Sequence, residues 1–176
     1  YAIAHGAKVL SNSWGGGGSS AALRVAIERA AASGVLFTAA AGNSNTDNDE
    51  SPHYPSNYGA ENIVSVASTT SKGKLSGFSC YGERTVDLAA PGSRIYSTVP
   101  NDGYQFLSGT SMATPHVTGL AALVWMYRPA LSMQQVKEVL LTSVEHSDAL
   151  QGKCTTGGQI NARSALEVAS RLEPPY

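Results

Sequence analysis

Residues 8–43 read as strand, helix, strand, and no other stretch constrains the fold of this chain as tightly. Lys8-Val9-Leu10-Ser11-Asn12-Ser13 is a short apolar-centred run that Trp14 and the glycines Gly15, Gly16, Gly17 and Gly18 break. Ser19 or Ser20 then supplies a side-chain oxygen to cap a helix. Leu23, Ala26, Ile27, Ala30 and Ala31 recur at helical spacing and predict one apolar face. Gly34 stops the helix, because glycine accepts the left-handed backbone that closes a last turn. Val35-Leu36-Phe37 opens a second buried strand that runs to Ala41-Gly42-Asn43. A connection this long, with its own helix, predicts parallel strands and a helix laid across the sheet.

The rest of the chain extends that layer. A polar, turn-rich segment covers residues 44–62. Ile63-Val64-Ser65-Val66 predicts a third strand, and Val86-Asp87-Leu88-Ala89 a fourth ended by Pro91-Gly92. Residues 95–99 and 104–107 predict a strand pair around Asn101-Asp102-Gly103. A helix then runs from about Ser111 to Tyr127, stopped by Arg128-Pro129, with Pro115 placed in its first turn. Ser132 and Gln135 form a capping box before Val136, Val139, Leu140 and Val144. Asn161 caps a final helix bearing Leu166 and Val168, and residues 172–176 read as a loose tail. The expectation is one α/β domain over residues 1–171, a mostly parallel sheet flanked by helices.

Composition removes several classes of function. Apolar residues make up 42% of the 176, enough for a real core. Net charge is −1 with no Lys or Arg run, so a nucleic-acid partner is not expected. No apolar stretch reaches the roughly 18 residues of a membrane span. The opening Tyr1-Ala2-Ile3-Ala4-His5-Gly6 has neither initiator Met nor the pattern of a secretion signal, which suggests a processed or partial chain. Cys80 and Cys154 form no CxxC pair, and their spacing leaves a disulfide and two free thiols both open.

Parallel sheets place their chemistry at the carboxyl ends of strands. Three small-residue segments sit at such ends: Ser13-Trp14-Gly15, Ala41-Gly42-Asn43 and Gly109-Thr110-Ser111. Ser111 starts a long apolar helix, where its hydroxyl and N–H meet a positive helix terminus. By position alone a serine there is a helix cap. Asn43 by itself supplies turn geometry, or donates its amide to a developing oxyanion.

The run Gly109-Thr110-Ser111-Met112-Ala113-Thr114-Pro115-His116-Val117-Thr118-Gly119 resembles the nucleophile motif of the subtilisin-like serine proteases, the subtilases. Ala39-Ala40-Ala41-Gly42-Asn43 is similar to that family's oxyanion segment, and Asn12-Ser13-Trp14-Gly15-Gly16 to its substrate-pairing strand. Leu88-Ala89-Ala90-Pro91-Gly92 is a further family-like turn. The resemblance implies a three-layer subtilisin-like fold lacking its N-terminal part. It implies Ser111 as nucleophile, with its N–H and the Asn43 amide as oxyanion donors. Ser13, Trp14 and Gly15 would pair with an extended polypeptide substrate. Ala40, Ala41 and Gly42 would wall a side-chain pocket with room for large apolar groups. The family's usual location makes a secreted protein the expectation.

A serine hydroxyl also needs a general base and a group that orients it. Subtilases carry these in the order Asp, His, Ser, so both are expected upstream and this chain alone is expected to be inactive. None of the four histidines replaces the base: His5 reads as a helix-terminal cation, His116 as packed on the far side of its helix, and His53 and His146 lie outside any histidine motif. No cofactor is expected for catalysis. Structural calcium is compatible with the family, with Asp87 and carbonyls near Glu61 and Ile63 as ligands. Asp87 alone reads equally as a strand-end carboxylate held by local N–H groups. Asp47, Asn48, Asp49 and Glu50 read as a solvated loop. Two other functions fit less: an α/β-hydrolase esterase, which lacks its G-x-S-x-G because residue 113 is Ala, and an inert pseudoprotease or peptide-binding module.

Overall fold

In a computed structural model that describes residues 1–173, the strand–helix–strand unit forms as β1 (Val9–Asn12), α1 (Ala21–Ala32) and β2 (Leu36–Ala40). Ser20 is the cap, its hydroxyl accepting from Leu23 N–H at 3.3 Å. The two strands are parallel, with Val9 beside Leu36 and Asn12 beside Ala39. Ile27, Ala30 and Ala31 are buried, whereas Ala26 is exposed. The contact stripe is narrower than expected, and Ala26 lies one residue step off its centre.

The sheet grows through β3 (Ile63–Thr69) and β4 (Leu88–Pro91), both parallel to their neighbours. The fourth strand begins two residues later than predicted and includes Pro91. Asp87 N–H, just before it, bonds to Ser65 carbonyl, and Gly92 N–H, just after it, bonds to Thr69 carbonyl. β5 (Ile95–Val99) and β6 (Gly103–Leu107) form the expected antiparallel hairpin, separate from the main sheet. Then come α2 (Thr110–Tyr127), α3 (Met133–Thr142) with its Ser132/Gln135 capping box, and α4 (Ala162–Arg171) capped by Asn161.

Two strands were not foreseen from the sequence. β7 (Glu145–His146) and β8 (Gly158–Gln159) have two residues each, too short for periodicity to register. They complete the order β1-β2-β3-β4-β8-β7 among the described residues. His146 therefore sits on an edge strand beside Gly158.

Alternation along the strands builds the layers. Leu36, Val64, Val66, Leu88 and Ala90 pack against α2, α3 and α4. Phe37, Ala39 and Ile63 point to the opposite face, against Ile27 of α1. Helices on both faces of a mostly parallel sheet make this a three-layer α/β fold. Cys80 and Cys154 are both free and buried in a cluster with Ala67 and Ala89. Leu172 and Glu173 are not loose, contrary to the expected tail. The Arg128 guanidinium donates to Leu172 carbonyl, and Gln135 Nε2 donates to Glu173 carbonyl at 2.8 Å. The last three residues of that expected tail, 174–176, lie outside the described residues.

Candidate functional site

The carboxyl ends of β1 and β2 and the amino end of α2 meet at one place. Ser111 is the second residue of α2, half-buried, with Gly109 as cap. Pro115 is the sixth helical residue, not a first-turn residue as predicted. A proline there withholds the N–H that Ser111 carbonyl would accept. Ser13 supplies the missing donor: its hydroxyl bonds Ser111 carbonyl at 2.8 Å. Ser111 returns the contact, its hydroxyl donating to Ser13 carbonyl at 3.1 Å. This reciprocal pair ties the segment after β1 to the start of α2.

Asn43 is exposed at the end of the segment that follows β2. Gly42, with φ of 111°, turns the chain there, a conformation few other residues adopt. The Asn43 carbonyl oxygen accepts from Thr110 N–H at 2.8 Å and from its hydroxyl at 3.0 Å. Those two bonds fix which end of the amide faces outward: Nδ2 keeps both its hydrogens for another acceptor. The point where a Cβ on Gly109 would sit is 3.6 Å from Ser111 N and 3.7 Å from Asn43 Nδ2. Two donors thus border one atom-sized gap.

Among the remaining segment residues, Ser13, Trp14 and Gly15 are exposed, Trp14 by 50%. Ala40, Ala41 and Gly42 are buried. His53, expected only to occupy a polar loop, reaches into this region. A Cβ on Gly15 would lie 2.3 Å from His53 Cε1, and one on Gly42 would lie 2.9 Å from His53 Cδ2. Only the absence of side chains at two separate glycines could have hinted at this neighbour. Burial holds the His53 imidazole below the usual histidine range. His116 is exposed rather than packed. Its Nδ1 contacts Met112 carbonyl at 2.8 Å, and it lines an open cavity of about 410 Å³ with Ser111. Among the described residues no imidazole is hydrogen-bonded to Ser111.

The loop of Asp47 to Glu50 is not simply solvated. Asn48 is fully buried and donates to Ala41 carbonyl at 2.8 Å, while Asp49 accepts from Thr85 hydroxyl at 2.6 Å. The Asn48 bond braces Ala41 from behind. At Asp87 the carboxylate accepts from Ser65 N–H at 2.6 Å. Burial raises its pKa, against the opposing pull of Lys137 and that N–H. Lys137 lines the same cavity, of about 300 Å³, and its ammonium donates to Glu61 carbonyl at 2.9 Å. A cation would have to displace that ammonium from one of its expected carbonyl ligands. Among the described residues no cluster of three or more His, Cys, Asp or Glu could hold a metal.

Comparison with known proteins follows the same region. A sequence profile described as "Subtilase family" matches residues 1–162. Thermitase of Thermoactinomyces vulgaris is 40% identical over 169 residues, covering 95% of this chain and 57% of that protein. Alkaline serine exoprotease A of Vibrio alginolyticus is 44% identical over 150 residues, covering 83% of this chain and 26% of its own length. Among solved structures, the prenylagaramide maturation protease PagA superposes with a TM-score of 0.83 at 30% identity, covering 96% of this chain and 64% of PagA. The chain therefore spans between a quarter and two thirds of the length of these proteins.

Proposed function

Because the chain belongs to the subtilase family, a family of serine proteases, we propose that it is the nucleophile-bearing part of a peptidase. The substrate is a polypeptide, cleaved through an acyl-enzyme on Ser111. The observation that carries this reading is the gap shared by Ser111 N and Asn43 Nδ2. A carbonyl oxygen that gains negative charge there meets two preorganised donors. Removing one such donor in subtilisin lowers kcat by about 10²–10³.

The Asp and His come from upstream sequence of the same catalytic domain, which is this chain's first partner. Ser111 gives up its bond to Ser13 carbonyl and donates to that histidine instead. Its oxygen attacks the scissile carbonyl as the imidazole takes the proton. The imidazole then protonates the leaving amine, and water releases the acyl group by the reverse exchange. Ser13, Trp14 and Gly15 offer free backbone edge to an extended substrate strand. Ala40, Ala41 and Gly42 form the opposing wall through their backbone. No cofactor takes part, and the Lys137 ammonium supplies the positive charge beside Asp87 that calcium would otherwise bring. Secretion is proposed as the family's usual location.

One observation favours an inert peptide-binding module instead: the Ser111 hydroxyl is bonded to a carbonyl and to no base. Fluorophosphonate labelling separates the two. Labelling of Ser111 is expected to be negligible in the chain alone and stoichiometric once the upstream segment is present. Absence of labelling in the longer protein would support the binder.

A further inference from the structure

Three hydroxyls line up where β1, β2 and α2 meet, outside the site described above. Thr38 of β2 is fully buried, Thr118 of α2 is half-buried and Ser11 of β1 is exposed. Thr118 Oγ1 donates to Ser11 Oγ at 2.9 Å. A hydroxyl has one hydrogen to give, so the 2.7 Å contact between Thr38 and Thr118 takes its hydrogen from Thr38. Two longer contacts compete weakly: Thr38 to Leu10 carbonyl at 3.3 Å and Thr118 to Thr114 carbonyl at 3.2 Å. Leu10 carbonyl already accepts from Asn12 Nδ2 at 2.9 Å. The donors therefore run outward from the buried Thr38, and the Ser11 hydrogen has no acceptor among the described residues. Among those residues β1 pairs only with β2, so Ser11 stands on a strand with one open edge. Aligned hydroxyls polarise one another, and the last hydrogen of such a chain is best matched by an anion.

Position narrows the choice of anion. Ser11 and Ser13 are two residues apart, so their side chains leave the same face of an extended chain about 6.6 Å apart. Both meet α2, Ser13 at Ser111 and Ser11 at Thr118, two helical turns further on. In a serine–histidine–carboxylate triad, hydrogen bonds of ~2.6–3.2 Å on either side of the imidazole put the carboxylate about 7–8 Å from the serine oxygen. Ser111 Oγ lies 3.1 Å from Ser13 carbonyl, which leaves Ser11 at about that remove.

We propose that Ser11 is a positioning residue: its hydroxyl, oriented by Thr118, donates to the carboxylate of the upstream aspartate. This rests on the peptidase reading above and deepens it by naming what holds the group that orients the base. β1 and β2 carry no titratable side chain, and α2 brings His116 and Tyr127. Lys8, just before β1, lines a cavity with Thr118. All three are unchanged in the variants below.

The test is kcat/KM against pH for one peptide substrate, in the protein with its upstream segment. A carboxylate that loses a donor attracts the imidazole proton more strongly, so the histidine of S11A keeps its proton to higher pH. The acid limb of kcat/KM reports the free enzyme's base and is expected to move up by about 0.3–1 pH unit. A hydrogen bond to a charged group spans ~1–2 pH units on the carboxylate itself, and the imidazole feels part of that. S11T keeps the hydroxyl and is expected to hold the limb in place. S11C keeps the shape with a weak donor and is expected to move the limb as S11A does, which covers the case in which S11A does not fold. An unmoved acid limb in folded S11A or S11C overturns the assignment, whatever happens to Tm or to the plateau rate, because a merely structural hydroxyl would change those alone. If Ser111 labels with fluorophosphonate and the limb stays put, only this assignment falls. If Ser111 does not label and no peptide is cut, the peptidase reading falls and takes this one with it.

Discussion

A methyl group on Gly109 would land in the gap bordered by Ser111 N and Asn43 Nδ2, and Gly109→Ala is expected to separate folding from catalysis. Its φ of 162° is extended backbone that alanine adopts without strain. The added carbon would meet nothing closer than 3.6 Å, with Met112 Sδ and Ser111 N at that distance and Asn43 Nδ2 at 3.7 Å. No atom has to move, and the loss of glycine's freedom in the unfolded chain stabilises by about 0.4–1 kcal/mol. For a domain of this size that is a rise of roughly 1–4 °C in Tm. Catalysis runs the other way. An oxyanion needs donors at about 2.7–3.1 Å, and a methyl at van der Waals distance from both nitrogens competes for that space. Losing one donor lowers kcat by about 10²–10³, and crowding both lowers it by at least that much. The assay is kcat and KM on one peptide substrate beside a thermal melt, in the protein with its upstream segment. A kcat within ~3-fold of the unaltered protein, with Tm unchanged or raised, would refute the reasoning, because the oxyanion would then lie elsewhere.

Three further outcomes follow from the geometry. Ser13→Ala strands the Ser111 carbonyl that Pro115 leaves unpaired, so urea denaturation is expected to show a loss of about 0.5–1.5 kcal/mol; no loss would mean that water replaces the hydroxyl fully. His53 has its pKa depressed by burial. The unfolded chain therefore takes up the proton first, and the contribution is present above the unfolded value near ~6.5 and lost as pH falls below it. The fall in Tm between about pH 7 and pH 5 is expected to be shallower in His53→Gln; identical slopes would contradict the burial argument. Lys137→Met removes the ammonium beside the buried Asp87 carboxylate. The variant is expected to lose stability at neutral pH and to regain part of it with millimolar calcium, whereas chelator alone is expected to leave the unaltered Asp87 region unchanged. A calcium response equal in both proteins would show that Lys137 does not stand in for a cation.

Local chemistry determined much of this protein before any folding. The Ser20 and Asn161 caps, the Ser132/Gln135 box, the stop at Arg128-Pro129 and the β1–α1–β2 unit all follow from rules that act within a few residues. The same holds for the motif around Ser111, whose small residues and helix start mark it in the chain itself. What lay beyond reach depended on residues far apart in sequence. The β7–β8 pair is too short to carry a period and exists because β4 offers an edge. Ser13 satisfies a carbonyl 98 positions away, Thr110 orients an amide 67 positions away, and Lys137 reaches the Glu61 carbonyl 76 positions away. His53 gains its place from the two glycines that make room for it. Hydrogen-bond satisfaction and exclusion of overlap are decided by which groups the fold brings within ~3–4 Å, and a sequence does not record that distance.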